Sequence, residues 1–260
     1  MPGEGPSLPA RRALQGADAA AICEALQRPA MRFVPVKSID QQARPMVHRA
    51  RQGFVQARTA TINRLRGLLS ELGIVLPLKA ATVRRQARAC LEELPGWANT
   101  VVGDLLGELH RLDERIAGYD QHFAAIARED ERARALMRLS GVGATSATAI
   151  VAMIGNGHEF RCGRQFAAWP GLTPGQYSSG GKTRLGRITK AGDAYLRSLL
   201  ILGARAVLAA AKDKTDPISR WALALEARRG YRKAAVAVAA KNARTAWAML
   251  ARGESFRLPA

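Results

Sequence analysis

From Val102 onward the chain places apolar side chains at alternating steps of three and four, through Leu105, Leu109, Leu112, Ile116, Tyr119 and Phe123 to Ile126. Steps that average three and a half residues draw one stripe along a helix, and such a stripe must be covered by another. A second stripe lies upstream, where Val55, Ile62, Leu65, Leu69 and Leu72 are spaced 7, 3, 4 and 3 before Gly73 and Pro77 close the helix. Ser38 and Gln41 form an S-x-x-Q capping pattern that opens this helix, which runs to about Glu71, with Pro45 kinking or delaying its start. A shorter helix, Ala81 to Leu94, lies between the two. The stripes therefore meet either as an antiparallel hairpin within one chain or as a zipper between two chains, and spacing alone does not choose. The plain core of a helical bundle would show the same stripes.

Around this arm, residues 38–130, the rest divides by composition. Residues 1–17 are rich in Pro, Gly and Ala without a period and read as a disordered leader. Residues 18–37 hold a short helix, Asp18 to Gln27, and "MRFVPVK" as an extended linker. After the arm, residues 131–260 form a second helical domain. Leu136 and Leu139 end one helix there, Gly141-Val142-Gly143 make a tight turn, and Ala144 to Ile154 form the next helix, with Ala147 and Ala149 facing a neighbour. This is a helix-hairpin-helix pattern, in which Gly141 and Gly143 would let backbone N–H groups approach a phosphate. Similar turns occur where two helices only pack closely. Phe160 to Trp169 reads as a short helix ended by "WPGLTPG", and a long apolar helix spans about Gly192 to Ala211. In the tail, Val236, Val238, Trp247 and Leu250 mark a packed helix with a basic outer face. No strand-rich block or repeat is present, so the expected class is all-α, with a coiled-coil-like arm preceding the helix-hairpin-helix domain.

Charge narrows the partner. Forty Lys and Arg against 21 Asp and Glu give a net charge of +19, which points to a polyanion, nucleic acid first. A ribosome-associated or simply arginine-heavy protein is the bland alternative. A membrane surface fits less well, because the basic residues are spread over several segments. No apolar run approaches the ~20 residues of a membrane span and the first residues lack a secretory signal, so the expected location is the cytoplasm. Cys23, Cys90 and Cys162 are far apart and give no disulfide or metal pattern.

The stretch "QYSSGGKTRLGRITKAGDAYLR", Gln176 to Arg197, sets Ser178 and Ser179 and two glycines against Lys182, Arg184, Arg187, Lys190 and Arg197, with one acid among them. A serine on a flexible cationic loop suits a nucleophile for phosphoryl transfer on DNA, since Lys and Arg can hold the phosphate and stabilise the charge that develops. A loop that only grips phosphate, with serines as hydrogen-bond donors, fits the same residue types.

The order "LSGVG…AIVAMIG", "F…R…FAAWPGLTP", "YSSGGKTRLGRITKAGDAYLRSLL" and "AAVAVAAKNARTAWAMLARGE" resembles the C-terminal domain of the bridge-RNA-guided insertion-sequence transposases of family one hundred and ten, in its eleven-eleven branch. The resemblance runs from about Asp18 to Arg257. It implies a DNA transposase in which Ser179, with Ser178 in reserve, attacks a backbone phosphate while Lys182, Arg184, Arg187, Lys190 and Arg197 position the strand. It also implies DNA and a bridge RNA as partners, a homo-oligomer built through residues 45–130, no membrane, and a bacterial, nucleoid-associated location. In that family an N-terminal RuvC-like domain holds divalent metal, Mg, on an Asp-Glu-Asp-Asp set. Only Asp18 has a counterpart here, as a vestigial carboxylate with Gln15 where the set has its other Asp, so no cofactor is expected in this chain itself. The expectation is a truncated transposase, with a non-catalytic helical DNA- or RNA-binding remnant as the alternative.

Overall fold

The computed structural model describes residues 8–29, 38–254 and 256, in two compact units divided between Lys37 and Ser38. The first carries α1 (Leu8–Gln27). This helix begins ten residues ahead of the Asp18 start expected from the sequence and takes in part of the leader read as disordered. The reason is physical: "LPARRALQGADAAA" has strong intrinsic helix formers, and the missing period meant only that no face need be buried. Ile22 and Leu26 are indeed exposed. The "MRFVPVK" linker lies outside the described residues.

In the second unit, α2 (Ile39–Glu71) opens on the reciprocal capping box, with the Ser38 hydroxyl accepting from the Gln41 N–H and the Gln41 side chain accepting from the Ser38 N–H. Pro45 sits inside this helix and does not delay it. A turn, α3 (Ala80–Ala89) and a 3-10 turn at Leu91–Glu93 lead to the 34-residue α4 (Gly96–Glu129). As residues rise along α2 from His48 to Arg51 to Arg58, their partners fall along α4 from Phe123 to Asp120 to Asp113. The two seams therefore meet as an antiparallel hairpin within one chain. Leu65, Leu69, Leu109 and Phe123 are fully buried, and Leu112 and Ile116 nearly so. Leu72 departs from the expected seam: it caps the helix and is exposed, and Leu76 is buried beyond it. Polar clasps run along the edge of the pair. Arg51 donates to both Asp120 oxygens at 2.7 and 3.1 Å, Arg58 donates to Asp113 at 3.2 Å, and Arg84 forms an ion pair with Asp113 at 2.6 Å.

Asp130 ends α4 and at once caps α5 (Glu131–Leu136), accepting from the Arg132 N–H at 2.9 Å. The boundary expected at 130/131 is thus a break in a helix, and arm and remainder share one compact unit with two apolar cores. The second core gathers α6 (Ala144–Ile154), α7 (Gly163–Ala168), α8 (Ala194–Ala211), α9 (Pro217–Arg229) and α10 (Tyr231–Arg252). By length and composition α8 could cross a membrane, against the expectation of no such run. Here its apolar side, Leu196, Leu200, Ala204 and Leu208, is buried in this core. Val238 and Trp247 of α10 are buried as expected, and the indole Nε1 donates to the Gly157 carbonyl at 2.9 Å. The fold is all-α apart from two short strands, β1 (Pro174–Gln176) and β2 (Leu185–Ile188).

Candidate nucleic-acid interface

The two strands belong to the serine stretch. They pair antiparallel, with Pro174 opposite Ile188 and Gln176 opposite Leu185 across an irregular register. Nearer the tip the Tyr177 N–H donates to the Arg184 carbonyl at 2.9 Å, and the Lys182 N–H donates to the Ser179 carbonyl at 3.0 Å. Gly180 and Gly181 fill the two turn positions at φ +54° and +76°. Positive φ at both positions defines the type I′ turn, whose twist suits a hairpin and which favours glycine. The loop expected to flex on a glycine hinge is therefore an ordered β-hairpin. The sequence did carry the signal, a Gly-Gly pair between two short runs, but neither run alternates cleanly.

This register separates the two hydroxyls. Ser178 Oγ accepts from the Arg184 N–H and from Gln176 Nε2, both at 3.0 Å, and so braces the hairpin. Ser179, one residue on at the turn, is exposed and its hydroxyl has no partner among the described residues. Lys182, Arg184, Arg187 and Lys190 are all exposed, and none forms an ion pair with a described residue. The strip thus carries uncompensated positive charge beside a free hydroxyl.

Arg197, also expected as a phosphate contact, is bonded into the protein through one of its nitrogens. Its Nη1 donates to the carbonyls of Pro170, Lys190 and Ala191 at 2.8, 3.0 and 3.1 Å, which ties the foot of the hairpin to the first turn of α8. The Thr189 N–H donates to the Thr173 carbonyl at 2.9 Å and the Lys190 N–H to that of Gly171 at 3.3 Å, so that foot is bonded on both sides. Lys190 holds φ +55° there, a left-handed conformation that a non-glycine residue keeps only where its surroundings enforce it.

In the turn between α5 and α6 the two glycines part company. A β-carbon on Gly141, at φ +82°, would lie 2.5 Å from the Gly203 carbonyl oxygen, and one on Gly203 would lie 1.9 Å from the Gly141 oxygen. Gly141 is thus needed for the close approach of the turn to α8. The Ser140 carbonyl accepts from Asn242 Nδ2 at 2.9 Å, holding the turn to α10 as well. Gly143, by contrast, is exposed with open space around it, at the start of α6.

Asp18 is exposed on α1, in the unit apart from the hairpin. The residues present do not fit a divalent cation: no three His, Cys, Asp or Glu side chains converge among the described residues, and one exposed carboxylate is too few ligands for Mg.

One cluster gave no sequence signal. His48, 2% exposed, stacks on Phe123 with ring centroids 4.2 Å apart and shares a 3.1 Å hydrogen bond between its Nδ1 and the Tyr195 hydroxyl. It joins the base of the arm to the start of α8. Burial first, and then the Arg51 charge, lower its pKa from 6.5 to about 4, a hydrogen bond with the Thr148 backbone opposing them, so the ring is neutral at neutral pH. Burial likewise pushes the Tyr195 phenol up.

Residues 133–218 match the sequence profile of a family described as Transposase IS116/IS110/IS902. The chain is similar to a "Probable family 20 transposase" of Pseudomonas aeruginosa, 47% identical over 245 residues, which are 92% of this chain and 72% of the relative. It is 41% identical to the "Transposase for insertion sequence element IS1111A" of Coxiella burnetii over 92% of this chain and 67% of the relative. The "Transposase for insertion sequence element IS1328" of Yersinia enterocolitica is 34% identical over 92% of this chain and 72% of its own length.

Proposed function

The chain belongs to the IS116/IS110/IS902 family of transposases, and from that premise we propose that its β-hairpin delivers Ser179 to a phosphodiester of insertion-sequence DNA. The observation that carries this reading is the contrast between neighbouring hydroxyls: Ser178 is bonded into the hairpin and Ser179 is free at its tip. In the proposed step the Ser179 oxygen forms a bond to phosphorus and the bond to one deoxyribose oxygen breaks. The serine proton passes to a base outside the hairpin, and the departing oxygen takes up a proton. Lys182, Arg184 and Arg187 hold the non-bridging oxygens and offset the charge of the five-coordinate state. Arg197 acts behind them as a positioning residue, and Gly143 offers backbone at the start of α6 to a neighbouring phosphate as the helix-hairpin-helix reading requires.

A weak nucleophile such as serine needs a base or an ordered site. The carboxylate-bearing part and its metal, together with a guide RNA, are components that this reading requires from outside the described residues. A homo-oligomer through residues 45–130 would use the exposed Val75, Leu78, Trp97 and Val101, where α2 ends and α4 begins, since the seams cover each other. The second reading, a chain that binds DNA or RNA without chemistry of its own, draws on the lack of converging carboxylates among the described residues. The test is strand exchange with a carboxylate-bearing domain of a relative supplied by fusion, together with guide RNA and matched DNAs. Ser179→Ala should abolish exchange and leave DNA binding within about twofold. Loss of binding would make Ser179 a phosphate grip, and exchange that survives Ser179→Ala but not Ser178→Ala would move the nucleophile one residue back. Binding without exchange in the unaltered fusion favours the second reading.

A further inference from the structure

Two residues before Ser179, just past the end of β1, stands Tyr177. Its side chain is 75% exposed, and its hydroxyl has no partner among the described residues. The ring does not project freely. A β-carbon placed on Gly186 of the facing strand would lie 2.8 Å from Tyr177 Cε2 and 3.4 Å from Cδ2, and one on Gly175 would lie 3.8 Å from Cε2. Two glycines, one from each strand, thus make a bare bed on which the ring rests along one edge. The rest of it is open to solvent, on a hairpin that also carries the exposed Lys182, Arg184 and Arg187. An exposed aromatic surface resting on a hairpin that also bears unpaired cations has the two parts of a single-strand binding site: a plane for a base, and charge for the phosphates on either side.

Building on the reading that the hairpin meets DNA, we propose that Tyr177 is a stacking platform for one unpaired base of the DNA strand presented to Ser179. Duplex DNA keeps its bases stacked on one another and offers none to this ring. The platform therefore favours a strand already opened or a nucleotide turned out of its helix, and it sets the attacked phosphate relative to the serine by holding the adjoining base. Covering two glycines would by itself be a structural role, and an aliphatic side chain could fill it. Stacking could not be filled that way, and this difference makes the idea testable.

The experiment measures binding of the purified chain to three DNAs of equal length at fixed salt: an oligothymidylate, its abasic counterpart with the same phosphates, and a duplex. An oligouridylate is run beside them. The unaltered protein should bind oligothymidylate about tenfold more tightly than the abasic strand, the scale of one base–aromatic stack. Tyr177→Phe should keep that ratio. Tyr177→Leu, which still covers the glycines, should bring it to about one with the salt dependence unchanged. Gly186→Ala, which crowds the ring from below, should lower it. Equal binding of base-bearing and abasic strands by the unaltered protein, a full preference in Tyr177→Leu, or a preference confined to the RNA strand would each overturn the proposal while leaving DNA as a partner. Failure to bind any DNA would overturn both this inference and the functional reading beneath it.

Discussion

Replacing His48 by glutamine should flatten the acid limb of the protein's stability. Above pH 6.5 the imidazole is neutral in both folded and unfolded chains and contributes no pH dependence. Between 6.5 and about 4 the unfolded chain takes up a proton that the buried ring refuses. The unfolded state then binds more protons, so stability falls as the pH falls, and it stops falling on this account once the folded ring also titrates. The fall from 6.5 to about 4, at ~1.4 kcal/mol per pH unit, gives a total loss of about 3.5 kcal/mol, a large share of the ~5–15 kcal/mol typical of a domain. The amide of the His48→Gln variant can still reach the Tyr195 hydroxyl but gives up the stack on Phe123, which should cost about 1 kcal/mol at pH 7. The two stability curves should therefore cross near pH 5 to 6. The Asp130 carboxyl does not blur this comparison. Its hydrogen bond with Arg132 holds it below the usual carboxylate range, so its contribution is lost only at lower pH. Urea unfolding followed by circular dichroism at pH 7, 5.5 and 4 provides the measurement. Parallel losses in the two proteins would show that His48 is not the group responsible, and that its burial costs far less than the packing implies.

Gly203→Ala sets a helix-propensity gain of up to ~1 kcal/mol against a methyl 1.9 Å from the Gly141 oxygen. The clash should win by about 2 kcal/mol or more, visible as a lower urea midpoint, and an unchanged midpoint would mean that turn and helix slide apart freely. Arg197→Lys removes the planar group that reaches three carbonyls and should raise the rate of proteolytic cleavage within residues 176–188 several-fold while helicity stays constant. Equal cleavage rates would show that the hairpin foot holds without it. DNA affinity should fall steeply with salt, with each of Lys182→Gln and Arg187→Gln reducing the logarithmic slope by about one. A flat response would remove phosphate from the list of partners.

How much of this the sequence disclosed depended on whether the signal was periodic. Both seams were readable because a stripe in register with the helix repeats over many turns, and Ser38 with Gln41 marked the start of α2 because a capping box is local. That the seams close on each other within one chain was not readable, because a stripe records that a face is buried and not what buries it. Gly141 shows the same limit. Its pattern suited a phosphate as well as a neighbouring helix, and the neighbour, Gly203, lies far along the chain with no local mark. Ser178 and Ser179 are chemically alike in sequence, and only the strand register shows which hydroxyl is occupied. His48 and Tyr195, 147 residues apart, meet with no pattern to announce them.

The His48 stack also sits where the arm is hung. From Phe123 back to Trp97, α4 rises about 40 Å at ~1.5 Å per residue, so the ring pair lies close to one end of a long arm. A tilt of a few degrees at the stack sweeps the far end through roughly 2–3 Å over that length. Tyr195 joins the pair to the first turn of α8, where Arg197 holds the foot of the hairpin. The base of the arm and the foot of the hairpin thus share one short stretch of α8, Tyr195 to Arg197.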